Sequence, residues 1–141
     1  MEVPVNYLAV LVAAASSIVL GFLWYGPLFG KVWMAQMGIT KESMSSVKQG
    51  EMMKSYVLMT IGSLLMAYVL SHSLTFASTY TQTTGYLAGV MVAFWTWLGF
   101  VAPVTLSSVL WEKKSWKLWC INAGYYLVSL KIMGVILALW K

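Results

Sequence analysis

The sequence contains no arginine and no aspartate, and its four acidic residues are all glutamates. Without guanidinium groups it has no planar fork for bidentate capture of phosphate or carboxylate. A formal charge of +5 carried by lysine alone argues against nucleic acid as a partner and for the lysine bias of loops on one side of a membrane. The single cysteine, Cys120, excludes an intrachain disulfide. The single histidine, His72, has no partner at metal-ligand spacing, so no metal site is expected. There is no glycine-rich phosphate loop and no nucleophile–base pair, so neither a cofactor nor an enzymatic activity is expected.

What the chain has instead is apolar length. Of its 141 residues 60% are hydrophobic and 9% charged, against about 25% charged in a soluble domain. The whole chain, 1–141, reads as one transmembrane domain. Residues 5–25, 56–76, 85–111 and 118–140 are each apolar for long enough to cross a bilayer as a helix. No lysine or arginine precedes the first of these, which makes it a first span rather than a signal peptide. The expected fold is an all-α integral membrane bundle of four transmembrane helices, with a short interfacial helix at 29–37 after the first. Thr40 is placed to cap a polar helical stalk, 41–54, leading into the second span.

Lysine placement orients the bundle. Seven of the nine lysines lie in the first and third connections and none in the second. By the positive-inside rule those connections are cytoplasmic and both termini face outward. Trp24, Trp33, Trp111, Trp116 and Trp119 then mark the cytoplasmic surface, with Trp140 and Lys141 at the outer one.

Small residues recur every fourth position. The first span carries Ala9, Ala13, Ser17 and Gly21; the second Ser63, Ala67 and Ser71; the third Gly85, Gly89 and Ala93; the fourth Gly134 and Ala138. Such rows let backbones approach in lipid, where van der Waals contact replaces the hydrophobic effect. They pack the protomer first, with association between copies as the alternative use. Within the third span Pro103 removes the bond to the Gly99 carbonyl and predicts a kink, with Thr105, Ser107 or Ser108 placed to satisfy the freed groups. Trp95 and Trp97 lie too deep to be interfacial anchors. Aromatic packing is the simpler use for them, a hydrophobic cavity the other.

Lys131 is the one charge within a span. It precedes Lys141 by ten residues, which is about 15 Å at helical rise, roughly half the hydrocarbon thickness. A lysine there costs about 2.5–3.5 kcal/mol on insertion scales. It shares a helix face with Gly124, Leu127, Gly134 and Ala138, and the adjacent face carries Asn122, Tyr126, Ser129 and Met133. Lys131, Asn122, Tyr126 and Ser129 are therefore the candidate intramembrane polar site. The plainer reading is that the lysine stem snorkels toward the outer headgroups.

With these residues in view the chain resembles the bacterial membrane family catalogued as domain of unknown function 1761. VNYLAVLVAA, FLWYGPLFGKVWMAQMG, LLMAYVL, LGFVAPVTLSSVLWEKKSWKLW and INAGYYLVSLKIMG carry the resemblance. It implies a small multi-helix protein of the bacterial inner membrane, with no activity attached. It also implies that the position of Tyr126 often holds histidine and that of Lys131 an aliphatic residue, which makes Lys131 a peculiarity of this chain.

Two functions are compatible with the sequence. One is an oligomeric small transporter or channel with a polar intramembrane site. The other is a non-transporting subunit or scaffold that binds a larger membrane protein complex through its tryptophan-rich rim. The partners expected are the lipid bilayer and either further copies of the chain or another membrane protein.

Overall fold

The computed structural model describes residues 2–140, and within them every regular element is helical. Four stretches are long and apolar enough to cross a membrane: Tyr7–Leu28, Gln49–Thr81, Gly85–Leu110 and Trp116–Leu139. Helix α1 (Tyr7–Leu23) starts where the Asn6 side chain accepts from the Ala9 amide, and it runs on through a π-helical turn, Trp24–Leu28. Pro27 lies in that turn, and the Phe29 amide reaches back to the Trp24 carbonyl at 2.8 Å. Helix α2 (Gly30–Met37) comes directly after it and stops at Gly38, whose φ of 67° is left-handed. Lys141, expected to anchor the far end with Trp140, lies outside the described residues.

The polar stalk differs from expectation. Thr40 does cap a helix, exchanging hydrogen bonds with Ser43, but this α3 covers only Lys41–Ser45. Ser46 and Val47 leave the helix, and a new one, α4 (Gln49–Thr81), starts after Lys48. The serine run explains the break, because Ser43, Ser45 and Ser46 each turn a hydroxyl onto a carbonyl three residues back, a local bond that competes with helix continuation. At 33 residues α4 is about 50 Å long. It exceeds a hydrocarbon core of about 30 Å, so its first turns, with Glu51 and Lys54, project beyond the apolar zone.

Helix α5 (Gly85–Thr96) passes into a second π-helical turn, Trp97–Val101, and then into two short pieces, α6 (Ala102–Thr105) and α7 (Ser107–Leu110). Pro103 lies at the start of α6, where its missing amide does least harm. The Thr105 hydroxyl donates to Val101 O at 2.8 Å, and Ser107 and Ser108 donate to Val104 O and Thr105 O. Helix α8 (Trp116–Leu139) is capped by Ser115, which accepts from the Leu118 amide. It holds ten buried residues, against five in α1, six in α4 and four in α5. The other three long helices are therefore arranged around α8.

Small side chains line the helix crossings, beside larger core residues such as Leu70, Leu74, Leu130, Met133 and Leu137. Ala9, Ala13, Ala67 and Ala93 are fully buried, with Ser17, Ser63, Gly89, Gly134 and Ala138 also inside. Many bulky side chains face outward, as Phe100 and Trp111 do, which lipid as solvent permits. Gly85 departs from its expected part in the packing row. No atom lies near the place a side chain would occupy, and its φ is +70°, so its use is the left-handed backbone of the α4–α5 turn. The α5 face that meets α8 is Ala88, Gly89, Val92 and Ala93.

Candidate functional site

The polar groups of the interior gather where α1 ends against α8. A π turn inserts one extra residue into a helix and so rotates the residues beyond it by about 100°. In α1 the turn opens with two successive aromatics that reach α8: Trp24 Nε1 donates to Ile121 O at 3.0 Å, and Tyr25 OH donates to Asn122 Oδ1 at 2.9 Å. One turn deeper, Tyr125 OH donates to Ser17 O at 2.9 Å and lies 3.1 Å from Ser17 Oγ, while Ser129 Oγ donates to Ser17 Oγ at 2.9 Å. Ser17 then donates to the Tyr125 oxygen, and all three hydroxyl protons are used. Gly21 leaves room for the Tyr125 ring, since a methyl there would touch its hydroxyl at 3.4 Å. Rings continue the wall, with Tyr25 centred 5.3 Å from Tyr125 and 5.5 Å from Trp33.

Helix α5 mirrors this arrangement. Its π turn also begins at a tryptophan with a glycine two residues later, and Trp97 Nε1 donates to Ala123 O at 2.8 Å. Ile121 and Ala123 are two positions apart, so their carbonyls leave α8 about 200° apart. The two indoles hold α8 from opposite sides. Beyond the second π turn Trp119 Nε1 donates to Thr105 Oγ1 at 3.1 Å.

Around these groups three recesses, each open at the surface of the bundle, share Tyr126 in their walls as the three limbs of a chamber. One, of about 590 Å³, lies against α4 between Ser17, Tyr25, Tyr56, Met59, Ser63 and Met66. A second, of about 610 Å³, lies toward α6 and α7, among Trp33, Thr105, Ser108, Glu112 and Asn122. The third, of about 490 Å³, passes between α4 and α5 beside Leu65, Phe100 and Leu130. At the opposite end of the bundle a cleft of about 400 Å³ is lined by Asn6, Ala9, Ser71, Thr75, Leu137 and Trp140.

The four residues grouped from the sequence fall in different places. Asn122 pairs with Tyr25, Tyr126 stands at the centre of the chamber, and Ser129 is buried under Ser17. Lys131 is not with them. Its Nζ lies 6.0 Å from the centre of the Phe94 ring, on the α5 side, because two positions along α8 turn it about 200° from Ser129. Trp95 is 63% exposed and turned outward, whereas Trp97 found its acceptor on α8. His72 lies on Tyr68 of its own helix, Nδ1 3.0 Å from that carbonyl. Sequence reading missed Tyr25 and Tyr125 and named Ser63 only as a packing residue; a Trp-x-Gly with a proline beyond it within each of two apolar runs was the signal available.

The fold and chamber define a small helical bundle of the multi-pass membrane class, with α8 at its centre and an aromatic cavity at one end. The chain belongs to a family of proteins of unknown function, DUF1761, whose model matches residues 8–138. No curated protein and no solved structure matches it.

Proposed function

We propose that the protein is a small membrane carrier whose solute moves along the seam between α1, α4 and α8. The chamber is its binding site and the far cleft the other mouth. The observation that carries this reading is that both cavities lie on one seam, separated by a short buried plug of small and flexible side chains. On α1 the chamber reaches Ser17 and the cleft reaches Ala9; on α4 they reach Ser63 and Ser71. Each pair is eight residues, or about 12 Å, apart. Ala13 and Ala67 sit midway on those rows, and Met133 lies between Ser129 and Leu137 on α8; all three are fully buried. Two methyls, the buried Ser129 side chain and a flexible thioether form the barrier, and methionine adapts to irregular space more readily than any branched side chain. The path lies within one chain and needs no second copy. The lysine-rich connections put the chamber on the cytoplasmic side.

Cysteine accessibility tests this. In a Cys120→Ser background reconstituted into vesicles, Ser63→Cys reacts with an impermeant thiol reagent from the lysine side and Ser71→Cys from the other. Protection of both from water on either side shows a seam filled by lipid, and the reading as a subunit of a larger membrane complex then takes its place.

A further inference from the structure

Resting on the carrier reading, we infer that the limb of the chamber against α4 takes a neutral amphiphile: a ring bearing one hydroxyl or carbonyl group and a short apolar tail, with no fixed charge. The limb against α4 is lined by Tyr25, Tyr56, Tyr125, Tyr126, Met59 and Met66 among others, and no lysine, glutamate or histidine borders it. An ion moved there loses water without gaining a counter-ion, which is the costly case of burial. Aromatic walls attract cations, but here the mouth is flanked by the lysine-bearing connections and the limb offers no carboxylate. A neutral ring meets a better fit. Tyr125 is centred 5.3 Å from Tyr25 and 5.1 Å from Tyr126, with planes 56° and 64° apart, which presents both edges and faces to a further ring.

The head group has a defined place. Ser17, Tyr125 and Ser129 spend their hydroxyl protons on one another and on the Ser17 carbonyl. Ser63 Oγ and Tyr126 OH line the same limb and stand outside that network. Ser63 is level with Ser17 near mid-depth, so the ligand's polar end points inward to Ser63 and Tyr126. Its tail runs toward the mouth along Met59, one turn before Ser63 on α4. The polar end then meets the two hydroxyls outside the network, and the tail meets the apolar wall of the limb.

The test uses the full chain in lipid nanodiscs, titrated calorimetrically against empty nanodiscs. Four matched probes are 4-butylphenol, butylbenzene, 4-butylphenyltrimethylammonium and 4-butylbenzenesulfonate. Saturable binding of the phenol is expected, with butylbenzene weaker by about three- to tenfold for the lost hydrogen bond and both ions weaker still. Ser63→Ala or Tyr126→Phe reduces the phenol's advantage over butylbenzene and leaves butylbenzene itself unchanged. Tighter binding of the ammonium or the sulfonate than of the phenol overturns the inference while leaving a ligand chamber in place. An unchanged phenol-to-butylbenzene ratio in both variants overturns the placing of the head group. Absence of saturable binding by all four probes removes the chamber as a binding site, and the carrier reading with it.

Discussion

Gly89 of α5 and Gly134 of α8 cross backbone to backbone, so that a methyl added to either would occupy the space of the other's carbonyl. This fixes where α5 rides on the central helix. It also places Phe94 beside Lys131 and Trp97 beside Ala123 further along the same pair of helices.

Gly134→Ala is therefore expected to be among the most damaging single-methyl changes in the chain. The obstacle is backbone, which cannot rotate aside, so the helices must separate; overpacking of this kind costs about 1–3 kcal/mol. Gly62→Ala is the control, because a side chain there meets nothing within 4 Å, and alanine gains up to about 1 kcal/mol over glycine in a helix. Thermal unfolding in mild detergent separates them, and equal melting temperatures for the two variants contradict the crossing.

Ser17→Leu should lower stability more than Ile18→Leu. Ser17 is 2% exposed, and its hydroxyl and carbonyl hold Tyr125 and Ser129, whereas Ile18 beside it is only partly covered. Leucine at 17 adds bulk on the α8 side and leaves the Ser129 hydroxyl without its acceptor, a loss of about 1–3 kcal/mol for a buried polar group. Chemical unfolding in detergent reads the difference. Equal midpoints would place this row against lipid.

Much of the fold was legible in the sequence, and the reasons differ from residue to residue. Four apolar lengths and the rows through Ala13, Ala67 and Gly134 reflect what lipid permits, so composition and spacing suffice for them. Tyr25 and Asn122 are 97 positions apart, and they meet only through the packing of α1 on α8, a long-range contact that helical periodicity does not contain. The same regularity put Lys131 on the Gly134 face, and both do lie toward α5; the error was to join that face with the one carrying Ser129 into a single site. Gly85 looked like part of a packing row because glycine serves two purposes, and only its φ distinguishes them.

The lysine distribution predicts that the α4–α5 connection lies on the opposite side from α3. Thr84→Cys, at an exposed position in that connection, should react with an impermeant maleimide added outside intact cells. Ser45→Cys, exposed in α3, should react only after permeabilisation, both in the Cys120→Ser background. The reverse pattern inverts the orientation and moves the chamber to the outer face, leaving its chemistry as described.

The final expectation concerns Lys131. Its ammonium lies over the rim of the α5–α8 seam near Phe94, and it lines none of the chamber limbs or the far cleft. An exposed cation–π contact is worth about 0.5–1 kcal/mol, less than the roughly 2.5–3.5 kcal/mol that a mid-membrane lysine costs on insertion scales. Lys131→Met keeps the length of the stem and removes the charge. The variant should be as stable as the parent or more so, with a higher melting temperature in nanodiscs. It should also leave the reactivity of Ser63→Cys and the affinity for 4-butylphenol unchanged, because neither depends on the α5 side of the bundle. A loss of probe binding in Lys131→Met with the fold intact would make the ammonium part of the site, and a charged group would then have to be admitted to the chamber.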